Sequence, residues 1–167
     1  QDKQAPVITQ IPADRTLSVG ANCLATLQYP NIDFQDNCDA QGIVVEITPG
    51  LESGSEIGVG TYRVEIKVTD RSGNFADTAF TVVVEDNTNP TIEAGSAFKV
   101  ECDQEIVWPE PDFSDNCDDK PELTIVSTVA NLDEDCYTGT VTRTWKVTDC
   151  AGNTATDSQT VYIEDNT

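Results

Sequence analysis

The sequence predicts an all-β chain built as two tandem immunoglobulin-like β-sandwich domains. Three observations carry this reading. Shifted by 79 residues, 23–88 align with 102–167 without a gap, and 23 of the 66 aligned positions are identical, so the chain contains one unit twice. The clearest run, "TYRVEIKVT" at 61–69, sets Tyr62, Val64, Ile66 and Val68 against Thr61, Arg63, Glu65, Lys67 and Thr69, a period of two that buries one face of a strand. No segment shows a helical period, and Pro, Gly, Asn and Asp cut the chain into short runs.

Taken in order, "APVI" (5–8) matches "NPTI" (89–92) at an offset of 84, and Asp2 falls on Asp86. These matches predict repeats at 1–87 and 88–167. Within the first, "TLSV" (16–19), "CLATLQY" (23–29) and "IVVEIT" (43–48) read as strands separated by Pro and Gly. "TYRVEIKVT" then turns through "RSGN" (71–74) into "TAFTVVVE" (78–85), whose Phe80, Val82 and Val84 point inward, which makes a hairpin. Six or seven short strands in about 80 residues suit one small sandwich. In the second repeat Val141, Trp145 and Val147 keep the inward pattern, but Arg143 stands where Val64 stood. The expectation there is an aliphatic stem over the core edge, with the guanidinium in water or on a carboxylate. The opening residues read as the tail of a preceding linker and the closing "EDNT" as the start of another, so the chain is expected to be part of a longer array.

Composition narrows the function. In 167 residues, 30 Asp and Glu face 9 Lys and Arg, a formal charge of −21. Such a chain offers no basic surface to replace phosphate counterions, which excludes a nucleic-acid partner. There is no histidine, so the usual general base and the commonest transition-metal ligand are missing. No apolar run reaches the roughly 18 to 20 residues that cross a bilayer, which predicts no direct membrane insertion. With no Ser and His pair, P-loop or zinc cluster, no enzyme is expected.

The order "DNC" (36–38 and 115–117), "TDxxGN" (69–74 and 148–153) and "EDNT" (85–88 and 164–167) resembles the hyalin-repeat (HYR) family of immunoglobulin-like modules. The second repeat, with "VECD", "RTWKVTDCAGNTAT" and "VYIEDNT", is most similar to variants strung in tandem in very large surface adhesins of Bacteroidota. The resemblance implies an extracellular, non-catalytic stalk or adhesion module at a bacterial cell surface, commonly exported by type IX secretion and in some cases tied to gliding motility. Its partners would be the neighbouring repeats of the same chain and an external surface, glycan or protein.

Six cysteines without C-x-x-C spacing and without histidine argue for disulfides over zinc. The first repeat has Ile57 and Arg71 where the second has Cys136 and Cys150. The simplest pairing is therefore Cys136 with Cys150, Cys23 with Cys38 and Cys102 with Cys117. An alternative ties Cys117 to Cys150. The sequential pairing carries a difficulty, because a full-height strand from residue 23 would bring Cys38 back to Cys23 only if 30–37 folded alongside.

The acidic loops are the candidate ligand sites. In an immunoglobulin-like sandwich the loop after the second strand and the loop of the last hairpin share one pole, while the last strand ends at the other. A junction between repeats would gather Glu85, Asp86 and Asn87 with Asp112, Asp115, Asp118, Asp149 and Asn153. Junctions to neighbouring repeats would use Asp2, Asp36, Asp39 and Asp70 at one end and Glu164 and Asp165 at the other. Crowded carboxylates repel unless a cation joins them, and oxygen-only ligands favour calcium. The competing reading is that Asp-Asn and Gly-Asn are turn residues and the acid serves solubility.

Two further expectations complete the sequence reading. "DTA" at 77–79 resembles a short acceptor pattern for O-glycosylation at Thr78. The alternative function is a ligand- or glycan-binding accessory domain of a secreted enzyme, contacting its target through Trp108 or Tyr162.

Overall fold

The computed structural model describes residues 2–38, 42–134 and 138–166. Every regular element among them is a strand, and the chain forms two compact units, Gln1–Asp86 and Asn87–Thr167. Each is an immunoglobulin-like unit of the kind predicted.

In the first unit, β2 (Arg15–Ser18), β5 (Val44–Ile47), β7 (Gly60–Thr69) and β8 (Phe75–Glu85) form one sheet in the order β2-β8-β7-β5. The β7–β8 hairpin runs in register from Gly60↔Val84 to Thr69↔Phe75. Its alternation sends Val64, Ile66, Val68, Phe80, Val82 and Val84 into the core, all at most 3% exposed. Two short ladders complete the unit: β1 (Val7–Gln10) with β4 (Asp33–Gln35), and β3 (Ala25–Thr26) with β6 (Glu56–Ile57). Leu27, fully buried, and Leu51 and Ile57 add their side chains to the core.

The run 23–29 is less of a strand than its composition predicts. Only Ala25 and Thr26 pair as a ladder. Beyond them the backbone is satisfied by a turn opposite: Leu27 N–H donates to Ser55 O at 2.8 Å, Gly54 N–H to Leu27 O, and Tyr29 N–H to Ser53 Oγ at 3.0 Å. Tyr29 packs edge-on against Phe80, with centroids 5.2 Å apart, and its hydroxyl donates to Leu51 O.

The second unit repeats the plan with β9 (Thr91–Glu93), β10 (Phe98–Glu101), β11 (Asp112–Ser114), β12 (Glu122–Leu132), β13 (Gly139–Thr148) and β14 (Thr154–Glu164). The main sheet runs β10-β14-β13-β12, and β9 pairs with β11. Here β12 has 11 residues where its counterpart β5 has four. Gly139 permits that longer ladder, because a Cβ on it would collide with Asn131 O. The core holds Val141, Trp145, Val147 and Val161.

The half-buried Arg143 donates from Nε to Thr128 Oγ1 at 3.2 Å. Its guanidinium lies over the Trp108 ring, 4.5 Å from the centroid, and 6.0 Å from that of Trp145. Trp108 in turn meets Trp145 and Phe98 edge to face, at 5.7 and 6.3 Å. A flat ring face attracts a weakly hydrated planar cation, so the arginine caps an aromatic stack where the first repeat used a valine.

Both units have two distinct poles. The β7–β8 and β13–β14 hairpins turn at one, which we call the hairpin pole. At the other, the closing pole, β2 and β10 end beside the last strand: Val19 N–H donates to Glu85 O, and Cys102 N–H to Glu164 O, both at 3.0 Å. Cys23 and Cys102 follow directly, at the closing poles. Cys38 and Cys117 follow β4 and β11, two residues beyond Asp36 and Asp115, which sit at the hairpin poles beside Asp70 and Asp149.

This geometry overturns the sequential disulfide pairing. An 11-residue last strand is roughly 35 Å long at about 3.3 Å per residue, whereas bridged cysteines need Cα atoms within about 7 Å. Cys23 therefore cannot reach Cys38, nor Cys102 reach Cys117. Cys23 and Cys117 are half-cystines, and Cys102 is an exposed thiol. Cys136 lies outside the described residues, and with it the expected pairing of Cys136 with Cys150.

Candidate metal centre

The site begins with a turn. In "TDxxGN" the hairpin reverses over four residues, and Gly73, at φ 90°, and Gly152, at φ 93°, supply the left-handed step that a side chain resists. Asp70 N–H donates to Asn74 O at 2.9 Å, and Gly73 N–H donates back to Asp70 O. Asn74 then grips the carboxylate with two bonds, N–H to Oδ1 at 2.8 Å and Nδ2 to Oδ2 at 2.7 Å. Asn153 holds Asp149 in the same way, both bonds at 2.8 Å. The two aspartates are 5% and 6% exposed. Burial works against their ionisation, but the asparagine side chain and the loop amides outweigh it, and both carboxyls are held below the ordinary value of 3.8.

"DNC" is a second turn. Asp36 Oδ1 accepts Cys38 N–H at 3.0 Å, and Asp115 Oδ2 accepts the amides of Cys117 and Asp118 at 2.8 and 2.9 Å. Each is an Asx turn, in which a short side chain replaces a backbone acceptor. A third carboxylate comes from the segment entering each repeat. Asp2 Oδ1 accepts Gln4 N–H, and Asp86 stands at the position equivalent to Asp2.

Three turns thus deliver three carboxylates to one place. Asp2, Asp36 and Asp70 present oxygens that all lie within 4.8 Å of one another, and Asp86, Asp115 and Asp149 are their sequence counterparts at the repeat offsets of 84, 79 and 79. Oxygens around a calcium ion, each about 2.3 to 2.6 Å from it, can span up to about that distance. Asp2 Oδ2 and Asp115 Oδ1 are buried and accept no hydrogen bond, so each group keeps an oxygen that the turns do not use. The donor set is all oxygen, which fits calcium and does not fit zinc.

The other predicted residues lie elsewhere. Asn153 is the clasp on Asp149. Asp118 turns its Oδ1 to Lys120 N–H at 2.8 Å. Asp112 pairs in the ladder with Glu93 and is exposed. Glu85 and Asn87 are exposed on either side of buried Asp86. At the closing pole Glu164 meets Lys99 at 2.5 Å, and Asp165 is exposed. Asp39 lies outside the described residues. Thr78 is half-buried in β8, opposite Ile66. Of the two aromatics considered as a glycan platform, Trp108 is half-buried beside Phe98, Trp145 and Arg143 and Tyr162 is 45% exposed. What composition missed is Asn166, whose amide side chain donates to Glu101 Oε1 at 2.8 Å. The repeated "EDNT" carried that signal.

Residues 1–84 match the HYR domain family, and residues 85–163 match the family described as HYR-like domain with 4 cysteines. The chain belongs to the HYR family. The second match begins at residue 85 and so covers Asp86, Asp115 and Asp149 in sequence, as the first covers Asp2, Asp36 and Asp70. Among solved structures, this HYR chain is similar to protocadherin gammaB7 EC3–6 (13% identity, 96% of this chain and 51% of that one, TM-score 0.44) and to Drosophila N-cadherin EC1–4 (14%, 98% and 50%, TM-score 0.45). Human mucin-like protocadherin EC1–2 is similar at 15% identity over 98% of this chain and all of that one, with a TM-score of 0.36. The chain spans about half the length of the first two.

Proposed function

We propose that this HYR pair is a non-catalytic stalk and adhesion segment of a long extracellular chain, with a calcium site at the hairpin pole of each repeat. The observation that carries this reading is the carboxylate trio of Asp2, Asp36 and Asp70, which keeps a buried oxygen on Asp2 that its turn does not use and whose members recur in sequence as Asp86, Asp115 and Asp149. Three carboxylates at that spacing repel unless a proton or a cation intervenes. The hydrogen bonds that keep Asp70 and Asp149 ionised work against the proton. Calcium would draw in Asp2 or Asp86, which belong to the incoming segment, and so tie that segment to the sandwich it enters. Family membership supports an extracellular adhesion-type repeat, and the likeness of the second repeat to Bacteroidota adhesins favours a type IX-exported, gliding-type surface protein.

Calcium would then stiffen the array. Without it "EDNTNP" is a short acidic linker whose charges repel, and with it the linker is held to the loops. Small-angle scattering of the 167-residue chain in 2 mM calcium and then in chelator tests this. A longer-lived extended form with reduced flexibility in calcium is expected. An identical profile in both conditions would leave the carboxylates as solvated turns.

A further inference from the structure

We propose that β12 of the second repeat is a homophilic contact, pairing antiparallel with the same strand of a second copy of this chain about a two-fold axis at Val129. The two four-stranded sheets have four edges between them, and an unpaired edge offers its backbone N–H and C=O groups to any strand that meets it. Three of these edges are blunted by shortness and charge. Strands β2, β5 and β10 have four residues each and carry Arg15, Glu46, and Lys99 with Glu101. The fourth edge, β12, has 11 residues, and its one charge is Glu122 at the start. Every residue from 125 to 132 is exposed, among them Ile125, Val126, Val129 and Leu132. A long, apolar edge without charge is the kind that recruits another strand.

Register limits how two such strands can meet. The ladder to β13 breaks between Ile125 and Ser127, whereas Ser127 to Leu132 follow β13 without interruption, so this run is the part able to pair continuously. Ala130 lies opposite the core residue Val141, and Val129 lies opposite Thr142. Thr128, Ala130 and Leu132 therefore share the core-side face, and Ser127, Val129 and Asn131 the outer one. A two-fold axis between antiparallel strands stands perpendicular to the sheet and keeps each face continuous, so every residue must meet one of its own face. Axes on Val129 and on Ala130 each pair five residues. Val129 is favoured, because it sets two β-branched side chains against each other where the alternative sets two methyl groups. Thr128 then meets Ala130, and Ser127 meets Asn131.

Charge supports a second copy as the occupant. Asp133 and Glu134 follow β12 directly, and antiparallel pairing carries them to the Thr124 end of the partner strand. There Lys146 is the register partner of Thr124 and is in no ion pair among the described residues, while Lys120 precedes the strand. The two-fold axis repeats this match at the other end. A contact of this size is weak alone, but repeats strung in one chain would multiply it. The pairing gives the adhesive role a partner and uses no metal, so it is tested in chelator and its failure leaves the calcium reading untouched.

The 167-residue chain, its thiols capped with iodoacetamide, is followed by sedimentation velocity in chelator from about 10 µM to about 1 mM. The mass is expected to rise from 18.1 kDa toward twice that value. Val129→Lys sets like charges face to face on the axis and should hold the mass at 18.1 kDa, with the circular dichroism of the parent because the side chain is exposed. Val129→Cys, left uncapped and oxidised, should give a dimer whose peptides are joined through position 129. Thr142→Cys, one strand further in, should not link through position 142. A mass of 18.1 kDa at every concentration would overturn the proposal and leave the edge to a strand of another protein. Association that Val129→Lys leaves intact, or equal linkage through 129 and 142, would overturn it as well.

Discussion

Asn153 holds both carboxylate oxygens of Asp149, one through its backbone amide and one through its side chain, each at 2.8 Å. The same clasp joins Asn74 to Asp70. It gives "TDxxGN" a structural reason that is independent of any ligand. Asn153→Ala keeps the backbone bond and deletes the other, leaving one oxygen of a buried carboxylate without its donor. The expected outcome is a lower melting temperature in chelator, recovered in part by calcium; thermal denaturation followed by circular dichroism measures both. A melt unchanged in chelator would remove the clasp from the stabilising contacts.

Acid should loosen the same turns. The carboxyls of Asp70 and Asp149 sit below the ordinary value of 3.8 in the folded chain, because the bonds to the carboxylate outweigh burial. A depressed value stabilises the fold above the unfolded pKa, and that contribution is lost as pH falls through the folded one. In chelator, melting temperature should therefore decline as pH drops below about 4. The variant carrying both Asn74→Ala and Asn153→Ala should decline less. Parallel curves for the two proteins would contradict the assignment.

The Arg143 cap makes a separate claim about the second repeat. Arg143→Ala removes a cation from the Trp108 face and should cost about 0.5 to 2 kcal/mol, with a change in tryptophan fluorescence. Arg143→Lys should retain part of the stability, because a compact ammonium stacks less well than a planar guanidinium. Chemical denaturation with fluorescence detection reads both variants. Equal stability in all three proteins would mean that the arginine merely passes over the ring.

The sequence made the main hairpin and its core legible, because β7 and β8 are long enough for a period of two to stand out. Val64, Ile66, Phe80 and Val82 were readable as core for that reason. The β1–β4 ladder was not, since strands of four and three residues hold too few alternations, and Pro6 and the "DNC" turn crowd their ends. The acidic residues were visible as a group, but composition does not say which oxygens a turn consumes. Asp118 looked equivalent to Asp115 and is committed to Lys120, while Asp112 is a ladder residue. The cysteine pairing failed for a comparable reason. Spacing of 15 residues suggested a local loop, and only the fold shows that those residues carry the chain from one pole of the sandwich to the other.

The most direct test of the central claim is calorimetric titration of the chelator-treated chain with calcium, alongside Asp36→Asn and Asp115→Asn. Asparagine keeps an acceptor for the Cys38 or Cys117 amide and removes one charge from one trio. The account predicts saturable binding at two sites, with dissociation constants of about 0.1 to 1 mM as in extracellular modules. Asp36→Asn should weaken one site and Asp115→Asn the other. Absence of saturable binding, or binding that the double variant leaves unchanged, would contradict it.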